Sequence, residues 1–196
     1  MKIVGVTGGI GSGKSTVVKM FENFAIPVYM ADSKAKELMQ SSEELKADII
    51  KLLGENSYKD EKPNRKFIAK EIFNDKEKLR KFNAIVHPAV HDDFDKWVNN
   101  VSKTDVDYCI YEAAIIFEAG RQDLCDLVIL VTAPKKERIE RVMKRDDIAS
   151  SDVIERMHHQ WDEERKRKLA DIVIENIHLN DTERQVNEIH SFILNT

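Results

Sequence analysis

The stretch Lys2-Ile-Val-Gly-Val-Thr-Gly8-Gly-Ile-Gly-Ser-Gly13-Lys14-Ser15-Thr16 limits what this chain can fold into more than any other. Gly8 and Gly13 stand at the G-x-x-x-x-G-K-[ST] spacing of a phosphate-binding loop. The apolar run Ile3 to Val6 predicts a short buried strand before it, and Val17 to Phe24 predicts an amphipathic helix after it. Glycines take backbone conformations closed to residues with a Cβ, so successive N–H groups can face one concavity. That concavity lies at a helix N-terminus, where the helix dipole also favours an anion. Lys14 is then placed to reach the terminal phosphates of a nucleotide, and the Ser15 hydroxyl to ligate Mg²⁺. A chance Lys-Ser after a glycine-rich turn is the bland alternative, and the strand and helix on either side argue against it.

Further along, Ala25 to Met30 predicts a second short strand, and Ala31-Asp32-Ser33 opens a helix with Asp32 or Ser33 as its N-cap. From about Ser41 to Ser102 the apolar residues recur at three- and four-residue steps, with no strand pattern, so a helical insertion is expected there. Asn64 can cap a helix inside it, and His87-Pro88 predicts a break or kink. Strand character returns at Val106 to Tyr111, ending at Glu112, and again at Leu127 to Thr132 and Ala170 to Glu175. Helices are expected over Lys135 to Arg145 and Ser150 to Trp161. A last one is opened by the capping-box pattern Thr182-x-x-Gln185, with Val186, Ile189, Phe192 and Ile193 facing in. The fold class is therefore α/β: a P-loop core with a parallel sheet flanked by helices, an inserted helical domain and a late helical lid.

Composition narrows the partners. At 196 residues the chain can bury a proper core, and its net charge of −4 comes without any long block of like charge. No nucleic-acid partner is expected. No run approaches the ~18 apolar residues of a membrane span, and the immediate entry into strand and loop leaves no room for a signal peptide. A cytoplasmic protein with Cys109 and Cys125 as buried, reduced thiols is the expectation. The oligomeric state is left open.

The loop says that phosphates are held, not what becomes of them. The guanine-reading Asn-Lys-x-Asp stretch and D-x-x-G switch of GTPases are both missing, which argues against a nucleotide-dependent switch. A helical insertion after strand two and an arginine-rich pair of late helices suit a small-molecule kinase, the first gripping an acceptor and the second closing over phosphates. Asp32 reads either as an N-cap or as the base that takes the acceptor's proton. Glu112 reads as a solvated strand end or as a Walker-B carboxylate holding Mg²⁺ through water. Arg141 and Arg145, four residues apart, share a helix face, while Arg138, Lys135 and Lys144 read as a solvated surface.

Val6-Thr-Gly-Gly-Ile-Gly-Ser-Gly-Lys-Ser-Thr16, Met30-Ala-Asp32, Ile85-Val-His87-Pro88, Ala113-Ala-Ile-Ile-Phe-Glu118, Arg141-x-x-x-Arg145-Asp146, Gln160 and Ala170-Asp171…Asn176 together resemble the dephospho-CoA kinase family. The resemblance runs nearly end to end. It implies ATP-dependent phosphorylation of the ribose 3′-hydroxyl of dephospho-CoA, with Mg²⁺ and with ATP as co-substrate. It implies a nucleotide-binding core of residues 1–32, 105–133 and 166–196, a helical CoA domain of 33–104 and a lid of 134–165. Catalytic roles fall to Asp32, Lys14, Arg141 and Arg145. ATP falls to Gly9, Gly11, Ser12, Gly13, Lys14, Ser15, Thr16, Arg141 and Asn176, the last in a loop near the adenine. Asp32, His87 and Glu112 fall to the acceptor, and Ser15 and Glu112 to the metal. The chain departs from the family pattern at Met30, where Asp is usual, at Ala114, where Pro is usual, and at His178-Leu179, near a usual Gly. The rivals are another nucleoside or nucleotide kinase and a module that senses ATP without transferring phosphate.

Overall fold

The computed structural model describes all 196 residues, which divide into two compact units, Met1–Met30 with Val101–Thr196, and Ala31–Asn100. In the first unit, β1 (Lys2–Thr7), β2 (Val28–Met30), β5 (Tyr108–Glu112), β6 (Leu127–Thr132) and β7 (Ile172–Glu175) form one sheet in the order β2-β5-β1-β6-β7. Every pairing is parallel. Strand two therefore lies beside β5 and not beside β1. The chain leaves β1 toward one edge and later returns to its other side. That reversal opens a crevice at the carboxyl ends of the strands, where α/β sheets take ligands.

The strands are β-branched and apolar because helices cover both of their faces. All five residues of β5 are buried. Val4, Val6, Tyr108, Ile110, Ile129, Val131 and Ile174 pack with Val17, Val18 and Phe21 of α1 (Lys14–Glu22) and Val186, Ile189 and Ile193 of α9 (Leu179–Asn195). Phe192, expected to face in, is 51% exposed. The capping box is not formed either. α9 starts three residues earlier, at Leu179, and Thr182 lies buried in its second turn, donating to Asn176 Oδ1 and His178 O at 3.1 Å each. Gln185 instead accepts from the Glu175 N–H at 3.0 Å. α6 (Lys135–Asp146), α7 (Ser150–His158) and α8 (Glu163–Leu169) complete this unit, with α7 ending short of Trp161.

The second unit holds α2 (Ala31–Ser41), α3 (Glu43–Leu53), α4 (Arg65–Phe73) and most of α5 (Lys76–Val101). Ser42 and Asn64 cap α3 and α4 by accepting from Leu45 N and Phe67 N. Asp75 does the same for α5 and accepts from Lys78 N and Glu77 N, bonds that hold its carboxyl below the usual range. Two expectations fail here. Asp32 and Ser33 lie inside the first turn of α2 and are not its N-cap. A two-stranded antiparallel hairpin, β3 (Tyr58–Lys59) with β4 (Lys62–Pro63), interrupts the helices.

His87-Pro88 does not break the stripe. α5 runs through Pro88 without interruption because Phe82, Val86, Val90 and Phe94 bury one continuous face. Proline there removes a backbone donor and crowds the carbonyl of Ala84, one turn back. Pro88→Ala is therefore expected to raise the urea midpoint, through a stability gain of up to ~3 kcal/mol from helix propensity. A lowered midpoint would show that the ring itself is packed to advantage. No helix in either unit is long and apolar enough to cross a membrane.

Candidate active site

The loop between β1 and α1 is shaped from its own residues. Gly13 caps α1 with φ 88° and ψ 28°, a left-handed conformation costly to any residue with a Cβ. A Cβ there would also lie 2.0 Å from Asn176 Nδ2. No side chain caps α1 and no acid sits in its first turn, so the N–H groups of Lys14 and Ser15 are left for something outside the helix. Residues Gly9 to Thr16 line a cleft of about 320 Å³ with Arg141, Val142 and Arg145. Backbone donors, a helix N-terminus and two arginines around one open volume make an anion site.

Beside it, a side chain from the helix meets one from the sheet. Lys14 Nζ lies 3.4 Å from Glu112 Oε1, both largely buried. Glu112 closes β5, in register with Met30 of β2 and Val6 of β1, so its carboxylate is fixed by the sheet. The Ser15 hydroxyl is exposed in the cleft and makes no hydrogen bond within the protein. A hydroxyl and a nearby carboxylate are the oxygen donors Mg²⁺ takes when phosphates and water supply the rest. The residues fit that ion.

On α6, Arg141 donates to Asn176 O at 2.8 Å and, more loosely, to Ser12 O at 3.5 Å, so its guanidinium is held at the loop. Arg145 turns to its neighbour instead. It donates twice to Asp146, at 2.7 and 3.1 Å, and Arg156 adds a third bond at 3.0 Å. Those bonds, with the Arg145 pair first, hold the Asp146 carboxyl below its usual range and raise the Arg145 guanidinium. Asn176 is buried with both ends of its amide engaged, Nδ2 on Ser12 O at 2.9 Å and Oδ1 on Thr182. Its side chain braces the loop. Asp32 is exposed in the first turn of α2, and His87 is half-buried on α5, both in the helical unit.

Some residues at the site were read from sequence as surface or carried no role. Arg138 is buried, with Nε on Ile10 O at 2.9 Å and Nη1 on Glu163 Oε2 at 2.5 Å. Gln160 Oε1 accepts from Ile10 N at 2.9 Å. Lys166 is buried in an ion pair with Glu118 at 2.7 Å, and Glu118 also accepts from Trp161 N. Trp161 lies under the Arg165 guanidinium, 3.2 Å from its ring centre. The thiols are no part of this chemistry: both are free, Cys125 only partly buried, and burial pushes them up to about 11 for Cys109 and about 12 for Cys125. Neither is a nucleophile at neutral pH.

A parallel sheet carrying this loop at the end of its central strand, with a lysine, a strand-end carboxylate and an arginine helix around the cleft, defines a P-loop nucleotide-binding protein of the phosphotransferase type. The dephospho-CoA kinase family model matches residues 2–181. A dephospho-CoA kinase of Salinibacter ruber is 39% identical over 97% of this chain and 96% of its own length. One of Porphyromonas gingivalis is 40% identical over 87% of this chain and 81% of its own. The crystal structure of TT1252 from Thermus thermophilus superposes with a TM-score of 0.84 at 31% identity, covering 97% of this chain and 96% of that one. The chain belongs to the dephospho-CoA kinase family.

Proposed function

We propose that the protein transfers the terminal phosphoryl group of ATP to the ribose 3′-hydroxyl of dephospho-CoA, the last step in making coenzyme A. The observation that carries this reading is a complete phosphate loop with its lysine and arginine partners, on a chain that matches the family from residue 2 to 181. The loop N–H groups and Lys14 hold the ATP phosphates, and Arg141 closes the cleft over them. Arg145 exchanges Asp146 for phosphoryl oxygen when the late helices, 134–165, close as a lid. Asp32 accepts the proton of the 3′-hydroxyl and orients the oxygen for in-line attack, and His87 steadies the acceptor in the helical unit. Ser15 directly, and Glu112 through water, would hold Mg²⁺, which neutralises charge on the β- and γ-phosphates. Catalysis is then positioning and electrostatics, with little covalent work for the protein. A reaction that draws on ATP supports a cytoplasmic setting for the protein.

Initial rates with MgATP and alternative acceptors test the substrate. Dephospho-CoA is expected to be preferred over AMP and other nucleoside monophosphates. Turnover of a bare nucleotide with no CoA formed would make the protein a different nucleotide kinase.

A further inference from the structure

We infer that Arg138, with Gln160 opposite it, is a positioning residue of the phosphate site, acting on the nucleotide through the backbone of the loop. The inference rests on the kinase reading above. An anion needs the loop's N–H groups turned inward, but each peptide also carries a carbonyl that repels the same anion when it swings in. The structure gives the carbonyls around the loop donors elsewhere. Gly9 O takes Ser12 N at 3.0 Å, Gly13 O takes Thr16 N at 3.0 Å, and Ser12 O takes Asn176 Nδ2 at 2.9 Å. Ile10 O, at the loop's tip, takes the Arg138 guanidinium.

Ile10 is gripped on its other side as well, its N–H donating to Gln160. Both peptide planes flanking it are thus fixed from outside the cleft, by residues 128 and 150 positions away. Space agrees with the bonding. A Cβ on Gly9 would lie 2.1 Å from Arg138 Nη2, so the glycine there makes room for the arginine as well as for phosphate. Arg138 is itself held by Glu163 at its far end, with a side chain only 10% exposed. A charge-assisted bond in so dry a place is among the stronger ones available to a protein. Arg138 lies near the start of the segment proposed as the lid and Gln160 and Glu163 near its end, so the loop is tied to both ends of the element that must move over it.

The test separates the two substrates. Arg138→Met keeps an unbranched apolar stem and removes the donors. It is expected to raise the KM for ATP by about tenfold, the scale of one lost charge-assisted bond, and to leave the KM for dephospho-CoA within about twofold. Arg138→Lys, which retains one donor, is expected to recover part of the loss. A merely structural arginine would lower the melting midpoint and leave the KM for ATP of the folded protein unchanged, and that result overturns the inference. If Arg138→Met does not fold, Gln160→Leu carries the same expectation and the same refutation. Titration with MgADP keeps the inference distinct from the kinase reading. A wild-type protein that makes no CoA refutes that reading, whereas the role of Arg138 is still decided by whether Arg138→Met weakens MgADP binding by about tenfold.

Discussion

Asp32→Asn is expected to lower kcat by about 10³-fold while leaving the affinity for MgATP unchanged. The carboxylate stands two residues past Met30, whose backbone is paired in register with Glu112, the carboxylate beside Lys14. It is exposed, in the first turn of α2, and holds no cap there. An aspartate whose only work was to stabilise the helix start would cost at most ~1 kcal/mol of stability when changed to Asn, and nothing in turnover. A proton acceptor behaves otherwise, because the amide keeps the shape and loses the basicity. Rates under saturating MgATP and dephospho-CoA, with MgADP affinity by titration, separate the two. Unaltered turnover would return Asp32 to the helix and leave the reaction without a base.

Lys14→Met is expected to be at least as damaging, lowering kcat/KM for ATP by about 10³-fold or more. Lys14 projects from the first residue of α1 into the cleft, and its ammonium lies 3.4 Å from Glu112. That pair has two consequences. The lysine is already oriented by a buried carboxylate before nucleotide arrives, so little ordering is left to be done at binding. Removing the cation also leaves Glu112 with less opposing charge in a dry place, so the variant should be less stable as well as less active. Adding Glu112→Gln to Lys14→Met is expected to restore part of the stability and none of the activity. Activity returning together with stability would show that Lys14 serves the fold, not the phosphoryl group.

The place of Lys14 was legible in the sequence, and the reasons are local. A glycine loop between an apolar strand and an amphipathic helix carries its meaning within fifteen residues, so Lys14, Ser15 and the conformation of Gly13 follow from spacing alone. The parallel sheet was equally legible, because β5 and β6 are apolar on both faces. Where partners are distant the local signal misleads. Thr182-x-x-Gln185 has the residues of a capping box, but Asn176 and the Glu175 backbone compete for those side chains and win. The hairpin at residues 58–63 was missed because its turn is Asp60-Glu61, with φ of 50° and 62°, where Asn-Gly would have announced it. The ion pair from Lys46 to Glu61 helps hold a turn its own residues do not favour. Arg138 is the sharpest case. In a helix as charged as α6, the arginine that faces a buried loop looks the same in sequence as those that face water. Nothing short of the fold places Ile10 against it.

The central claim is that this cleft phosphorylates one particular hydroxyl. Incubation of the purified protein with MgATP and dephospho-CoA, following ADP and CoA together and locating the new phosphate by ³¹P NMR, tests it directly. ADP and CoA are expected in equal amounts, with the phosphate on the ribose 3′-oxygen. ADP released without CoA, or a phosphate on any other oxygen, would rule out the proposed transfer.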